Sequence, residues 1–239
     1  MSRPFGDPSN STNEPATVGV VVPAAGAGQR MGGLVKPFLE LGGEPVLIRA
    51  LRPFLEQPGV REVMVCLPPS HAESPPAWLL AADDRIRVVA GGATRRDSVW
   101  AGLRVLSDVL DVAVVHDGAR PLVDRAVVGR CIDLAARGIG GVAGVPVVDT
   151  MKQVNDSGHV VSTPERSRLW HAQTPQAFPL DVIMEAYRRA LEEDFPATDD
   201  AGLVERVGGP VVMVESSEDN LKITRPEDLE IAELLLSRR

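Results

Sequence analysis

Aromatic residues are scarce in this 239-residue chain, only 4% of the total. A surface that grips single-stranded nucleic acid needs rings on which bases can stack, so that class of partner is disfavoured. Positive charge is scarce too: 25 Lys and Arg stand against 33 Asp and Glu, a net charge of −8. Bulk binding of a polyanion needs a basic field. Any phosphate partner must therefore be met by a few cations that converge locally. Cysteine is limited to Cys66 and Cys131, each in an apolar stretch and neither at metal-ligand spacing. They read as buried free thiols, in keeping with a reducing cytoplasm. No apolar run approaches the ~18 residues of a membrane span, and the N-terminus lacks the order of a signal peptide. HExxH, Gly-x-Ser-x-Gly and Cys/His zinc patterns are missing as well.

What is present is ample core material, 44% hydrophobic residues. Residues 1–17 mix Ser, Asn, Thr and Pro and are expected to form a flexible tail. Residues 18–239 are expected to form one domain. Short apolar runs at 18–24, 63–67, 85–89, 112–116, 141–148 and 211–214 read as strands. Helical spacing marks 45–57, 94–106, 124–137, 179–193, 199–207 and 226–236, with a weaker helix at 77–82. This alternation predicts an α/β fold with a parallel sheet covered on both faces. Ligands in such folds bind beyond the carboxyl ends of the strands. Residues 149–174 break the pattern. Segments 151–154 and 159–162 can pair across Asn155-Asp156-Ser157-Gly158, which predicts a hairpin arm projecting from the core.

Four strings lie where a ligand would sit. The first is Pro23-Ala24-Ala25-Gly26-Ala27-Gly28-Gln29-Arg30-Met31, followed by Lys36. Small residues let backbone N–H groups approach a polyphosphate, and Arg30 and Lys36 can neutralise its oxygens. The string is not a Walker loop, since no Gly-Lys-Ser/Thr follows. It also lacks the third glycine of a dinucleotide fingerprint. The second is Gly91-Gly92-Ala93-Thr94-Arg95-Arg96-Asp97-Ser98, a strand end running into a helix N-terminus that attracts anions. The same string also fits an ordinary turn with a Thr94–Asp97 capping box.

The third string, His116-Asp117-Gly118-Ala119-Arg120-Pro121, brings a carboxylate and a guanidinium to a strand end. They suit metal or hydroxyl binding and phosphate binding, or a structural Asp–Arg pair. His116 reads as a hydrogen-bonded core histidine. The fourth runs from Asn220 to Asp228 and places Lys222 just before the last helix, where a lysine is ordinarily solvated. Two further groups are Arg166, ahead of Trp170-His171-Ala172-Gln173-Thr174-Pro175-Gln176, and Thr198-Asp199-Asp200-Ala201, where Thr198 alone reads as a helix N-cap.

In this order the strings closely resemble those of 2-C-methyl-D-erythritol 4-phosphate cytidylyltransferases, from about Val18 to the C-terminus. Asp-Thr-Met-Lys at 149–152 and Leu-Trp-His-Ala-x-Thr-Pro-Gln at 169–176 complete the set. Single strings occur in sugar-phosphate nucleotidyltransferases generally, while the ordered set is specific. The resemblance implies a Rossmann-like, mostly parallel sheet of the nucleotide-diphospho-sugar transferase type. It implies transfer of CMP from CTP to 2-C-methyl-D-erythritol 4-phosphate, with a divalent cation, usually magnesium. By resemblance, Ala24, Ala25, Gly26, Arg30 and Lys36 hold CTP, with Gly92 and Ser98 near the cytidine. Asp117 and Arg120 lie near the sugar-phosphate and metal region. Thr198 and Lys222 face the substrate phosphate. Arg166 and Thr150 reach the methylerythritol phosphate of the neighbouring subunit in a homodimer with interlocking arms.

Three positions depart from the family pattern: Pro37-Phe38 after Lys36, Gly118, and Ala93 in place of a frequent acidic residue. Two other readings use the same strings, a ribitol-5-phosphate cytidylyltransferase and a nucleotide-sensing module without turnover.

Overall fold

A computed structural model of the chain describes residues 14–26, 36–196 and 198–239. Residues 1–13 of the expected tail lie outside these. Thr17, within the range expected to be flexible, is fastened to the domain: its N–H and hydroxyl both donate to the Asp111 carboxylate at 2.8 Å.

The chain begins its sheet with β1 (Val18–Pro23). Val20, Val21 and Val22 are all fully buried, and each such side chain contributes about 1.5–3 kcal/mol of burial. A short hairpin, β2 (Glu40–Leu41) and β3 (Glu44–Pro45), leads into α1 (Val46–Leu55). Then come β4 (Val60–Leu67), α2 (Pro69–Glu73), α3 (Ala77–Leu80), β5 (Ile86–Ala90) and α4 (Arg95–Leu103). Thr94 caps α4 with the expected box: its side chain accepts from the Asp97 N–H, and the Asp97 carboxylate accepts from the Thr94 N–H. The strand β6 (Val112–Val115) is followed by α5 (Arg125–Ala135), capped by Asp124, and β7 (Gly140–Pro146).

The expected arm carries β8 (Gln153–Val154) paired antiparallel with β9 (Val160–Ser162). Gly158 occupies a left-handed conformation (φ 78°) in the turn, where a Cβ would be strained. The chain closes with β10 (Trp170–Pro179), α6 (Leu180–Glu192), α7 (Asp200–Arg206), β11 (Val211–Glu215) and α8 (Pro226–Leu236).

The seven-stranded sheet has the order β11-β7-β10-β6-β1-β4-β5. Most neighbours are parallel, but β10 runs antiparallel between β6 and β7. This strand is absent from the sequence-based reading, which assigned residues up to 174 to the arm. The arm therefore ends before Trp170. Gln173, Thr174, Pro175 and Gln176 look like loop residues because the strand is irregular there, its register shifting between Ala172 and Gln176. Such a bulge tolerates proline inside a sheet.

Period-two alternation divides the core. Val20, Val22, Val63 and Val65 pack under α1 and α5, with Leu51, Phe54 and Val128. Val21, Met64 and Cys66 pack on the other face with Val99, Ile183, Tyr187 and Leu203 from α4, α6 and α7. Both thiols are buried and free; burial pushes each up to about 12, so neither is a thiolate at neutral pH.

Candidate active site

The chain leaves β1 to build β4 and β5 on one side, then crosses back to lay β6 on the other. In sheets of this kind the binding crevice lies where the strand order reverses, here at the carboxyl ends of β1 and β6, from which the first and third strings emerge. Close packing joins the strings. A Cβ on Gly91 would meet the Ala25 Cβ at 2.4 Å, so only glycine lets the second string approach the first. The Ser98 hydroxyl, nearly buried, accepts the Gly92 N–H at 3.1 Å and donates to the Thr94 carbonyl at 2.9 Å. Ala24 is buried and Gly26 exposed. Arg30 and the Lys36 side chain lie outside the described residues.

Asp117 is the centre of the arrangement. It follows β6 directly and is 6% exposed. Lys222 Nζ lies 2.9 Å from its Oδ2, Arg95 Nε 3.2 Å from its Oδ1 and Arg120 Nε 3.5 Å from Oδ2. Burial pushes the carboxyl toward its protonated form, but Arg95, Lys222 and Arg120 outweigh it and hold it well below the usual carboxylate range. Lys222 is thus ion-paired, though its side chain stays 41% exposed. By itself its segment reads as carrying an ordinary solvated lysine, whereas the resemblance places it at the substrate phosphate. Its segment is anchored on both sides. The Ile223 N–H donates to the Ala119 carbonyl at 2.8 Å, Ile223 is fully buried, and Arg120 Nη1 donates to the Asn220 carbonyl at 2.6 Å.

His116 is a core residue, as its setting in an apolar strand suggested. It is fully buried against the Phe54 ring. Its Nε2 lies 3.1 Å from the Arg120 carbonyl, an acceptor only, so Nε2 must carry the proton. Its Nδ1 then accepts from the Thr174 hydroxyl at 3.1 Å, and the Thr174 oxygen accepts the Asp117 N–H at 3.0 Å. Burial lowers the imidazole to about 4. The chain Arg120–His116–Thr174–Asp117 holds the strand end rigid and offers no accessible base.

Arg95 lies in the second string and Asp200 beside Thr198, and neither has a role by sequence alone. Arg95 Nη1 and Nη2 clamp the fully buried Asp200 at 3.0 and 2.7 Å, and the Tyr187 hydroxyl donates to the same carboxylate at 2.5 Å. Burial opposes the charge on Arg95, but Asp200 and Asp117 outweigh it and raise its pKa. Asp199, not Thr198, caps α7, accepting from the Gly202 N–H at 3.0 Å. The cap falls one residue later than expected because the Asp199 side chain also accepts from Gln176 Nε2 at 2.9 Å. Thr198 is exposed just ahead of it.

The site does not gather every candidate. Thr150 and Arg166 sit on the arm, both exposed, with Arg166 donating to the Val148 carbonyl at 2.7 Å. No hydrogen bond or ion pair among the described residues ties either to Asp117 or Lys222. A groove of about 360 Å³ lined by Arg49, Arg52, Pro121 and Arg239 lies apart from Asp117; its Arg49 and Arg52 face Glu44.

Among the described residues, no helix is long and apolar enough to cross a membrane.

Comparison with known proteins agrees with this geometry. The family model described as 2-C-methyl-D-erythritol 4-phosphate cytidylyltransferase matches residues 18–238. The curated enzyme of that name from Symbiobacterium thermophilum is 46% identical over 220 residues, covering 92% of each chain. That from Syntrophotalea carbinolica is 44% identical, covering 92% of this chain and 96% of its own. Among solved structures, the Thermus thermophilus 2-C-methyl-D-erythritol 4-phosphate cytidylyltransferase superposes with a TM-score of 0.75 at 34% identity, covering 91% of this chain and 98% of its own. The 4-diphosphocytidyl-2C-methyl-D-erythritol synthase of Anaerococcus prevotii reaches 0.84 at 28% identity, covering 93% and 96%. With the strings ordered along the sheet edge and the match spanning nearly the whole chain, this protein belongs to the 2-C-methyl-D-erythritol 4-phosphate cytidylyltransferase family.

Proposed function

We propose that the crevice at the ends of β1 and β6 is where this cytidylyltransferase moves CMP from CTP to 2-C-methyl-D-erythritol 4-phosphate, giving 4-diphosphocytidyl-2-C-methyl-D-erythritol and pyrophosphate. The observation that carries this assignment is Lys222, held 2.9 Å from Asp117 yet 41% exposed at the strand end. It is a fixed cation with an open side.

A phosphate monoester has a second pKa near ~6 and is mostly dianionic at neutral pH. Its oxygen can attack the α-phosphorus of CTP while pyrophosphate leaves, with no proton to remove first. The absence of a role for His116 as a base agrees with this. The barrier is the repulsion of a dianion from a triphosphate, so positive charge must gather where it develops. Lys222 and Arg120 stand beside Asp117 at the strand end. Arg30 and Lys36 of the first string are assigned to the triphosphate by the family resemblance. Ala24, Ala25 and Gly26 cradle the triphosphate, Gly92 and Ser98 border the cytidine, and Thr198 orients the attacking phosphate.

Magnesium fits this chemistry as a cation that arrives on the nucleotide. No group of three or more His, Cys, Asp or Glu among the described residues could hold a metal by itself, and magnesium commonly binds one or two carboxylates plus substrate phosphates. Asp117 is the carboxylate at the strand end, but Arg95, Lys222 and Arg120 already take both its oxygens, so as placed it does not fit a magnesium ion. Carried on the nucleotide, the cation would neutralise phosphate charge.

Thr150 and Arg166 complete the acceptor pocket from a second copy of the chain. Exposed Val148, Met151, Val154, Val160 and Val161 on and beside the arm support a homodimer formed through it. The net charge of −8 argues against a nucleic-acid partner, and the two buried free thiols suit the cytoplasm.

The test is pyrophosphate release across four nucleoside triphosphates with methylerythritol phosphate and ribitol 5-phosphate. Turnover is expected with CTP and methylerythritol phosphate, and Lys222→Ala should lower it by ~10²–10³. Normal turnover by that variant would remove Lys222 from the chemistry. Binding of CTP with no turnover on either acceptor would mark a sensor.

A further inference from the structure

We infer that Arg95 is a positioning residue for Lys222, acting through Asp117. The inference rests on the reading that Lys222 serves the substrate phosphates.

The Arg95 fork is itself fixed. Its two terminal nitrogens grip Asp200, which is fully buried, bonded by the Tyr187 hydroxyl and anchored through its N–H to Gln176 Oε1 at 3.1 Å. The remaining Nε points at Asp117 Oδ1 from 3.2 Å. Lys222 takes the other oxygen, Oδ2, at 2.9 Å. The carboxylate is thus divided between two cations. Arg95 sets its rotation, so that Oδ2 faces Lys222. It also balances part of the negative charge that would otherwise hold the ammonium. Without Arg95, Asp117 can turn both oxygens toward Lys222, drawing the ammonium in and away from a phosphate.

The same fork spans two parts of the site. Arg95 opens α4, four residues after Gly91, whereas Asp200 opens α7 two residues after Thr198. Lysine cannot replace it fully, because a single ammonium lacks the planar fork that serves two carboxylates.

The experiment compares kcat and KM in the full chain at saturating magnesium. Arg95→Met is paired with Asp200→Asn, so that no buried charge is left without a partner. This double variant is measured with and without Lys222→Ala. With Lys222 present, kcat should fall by ~10–100-fold while KM for CTP stays within ~3-fold. In the Lys222→Ala background the same change should cost less than ~3-fold, because residues that act through one another are not additive. Arg95→Lys should recover part of kcat. It also carries the same cycle if the double variant does not fold.

A full multiplicative loss in the Lys222→Ala background would show a structural role only and overturn the inference. So would an unchanged kcat, or a loss confined to KM. An impaired Lys222→Ala chain beside a fully active Arg95→Met/Asp200→Asn chain would sink the positioning role alone. Normal turnover by Lys222→Ala would instead remove the reading beneath it.

Discussion

The strand end at Asp117 and the arm between β7 and β10 differ in what completes them. At Asp117 every buried charge meets an opposite charge from the same chain, with Arg95, Arg120 and Lys222 on one carboxylate and Tyr187 joining Arg95 on Asp200. The arm has only a two-strand ladder of two and three residues, and its Val160 and Val161 are 59% and 57% exposed. A lone two-stranded hairpin is marginal in water, and clustered exposed valines ask for a cover. The strand end is thus finished within one chain. The arm's exposed valines fit the homodimer proposed above.

The largest effect should come from breaking that division at the arm. Val160→Asp with Val161→Asp places charge where apolar cover is proposed. Sedimentation should then show monomers, and turnover should drop by ~10² or more as the neighbour's Arg166 is lost. The melting temperature of the domain should hardly move, since exposed positions typically change stability by less than about 0.5 kcal/mol. A dimeric, active double variant would remove the arm from assembly. Mixing Arg166→Ala chains with Lys222→Ala chains sharpens the point. Mixed dimers regain one complete site, so partial recovery of turnover is expected if the two residues belong to different subunits.

A second prediction concerns the strand end alone. Buried His116 is held neutral, with its pKa lowered to about 4, while in the unfolded chain it lies near ~6.5. Below that value the unfolded chain takes up a proton that the folded chain refuses. Stability should therefore be unaffected above about pH 6.5 and lost as pH falls toward 4, by on the order of 2–3 kcal/mol. Asp117, held low, acts in the same direction but only at more acid pH. Denaturant titrations of the wild type and His116→Gln between pH 7 and 4.5 separate the two. The variant should show the shallower slope, and equal slopes would mean that His116 accepts its proton in the folded state.

The contrast also explains what could be read in advance. Apolar periodicity revealed β1, β4, β5, β6, β7 and β11, because their valines fill both core faces. It missed β10, whose Gln173, Thr174 and Gln176 are buried polar residues. Their partners are Asn220, His116 and the start of α7, far away in sequence. Asp117 and Arg120 were legible as a strand-end pair because they flank the turn at Gly118, but the pairing of Lys222 with Asp117 was not. The Arg95–Asp200 clamp joins residues 105 positions apart, and no local spacing encodes such a pair. Thr198 as a cap failed for a similar reason, since Gln176 from β10 helps to fix Asp199 in that place.

The smallest effect tests whether the second string is as self-contained as the third. Ser98 ties Gly92 to the first turn of α4 through its hydroxyl. Ser98→Ala removes both bonds, but Gly92 is exposed, so water can meet its N–H. The cost to stability should then sit near ~1 kcal/mol rather than at the ~3 kcal/mol of a sealed donor. If the loop also borders the cytidine, its loosening should weaken CTP by a similar energy, about fivefold in KM, with kcat nearly unchanged. Pyrophosphate release at varied CTP gives the answer. A large loss of kcat would mean that the second string does more than hold the nucleotide, because a tether acting on binding alone cannot slow the bound complex.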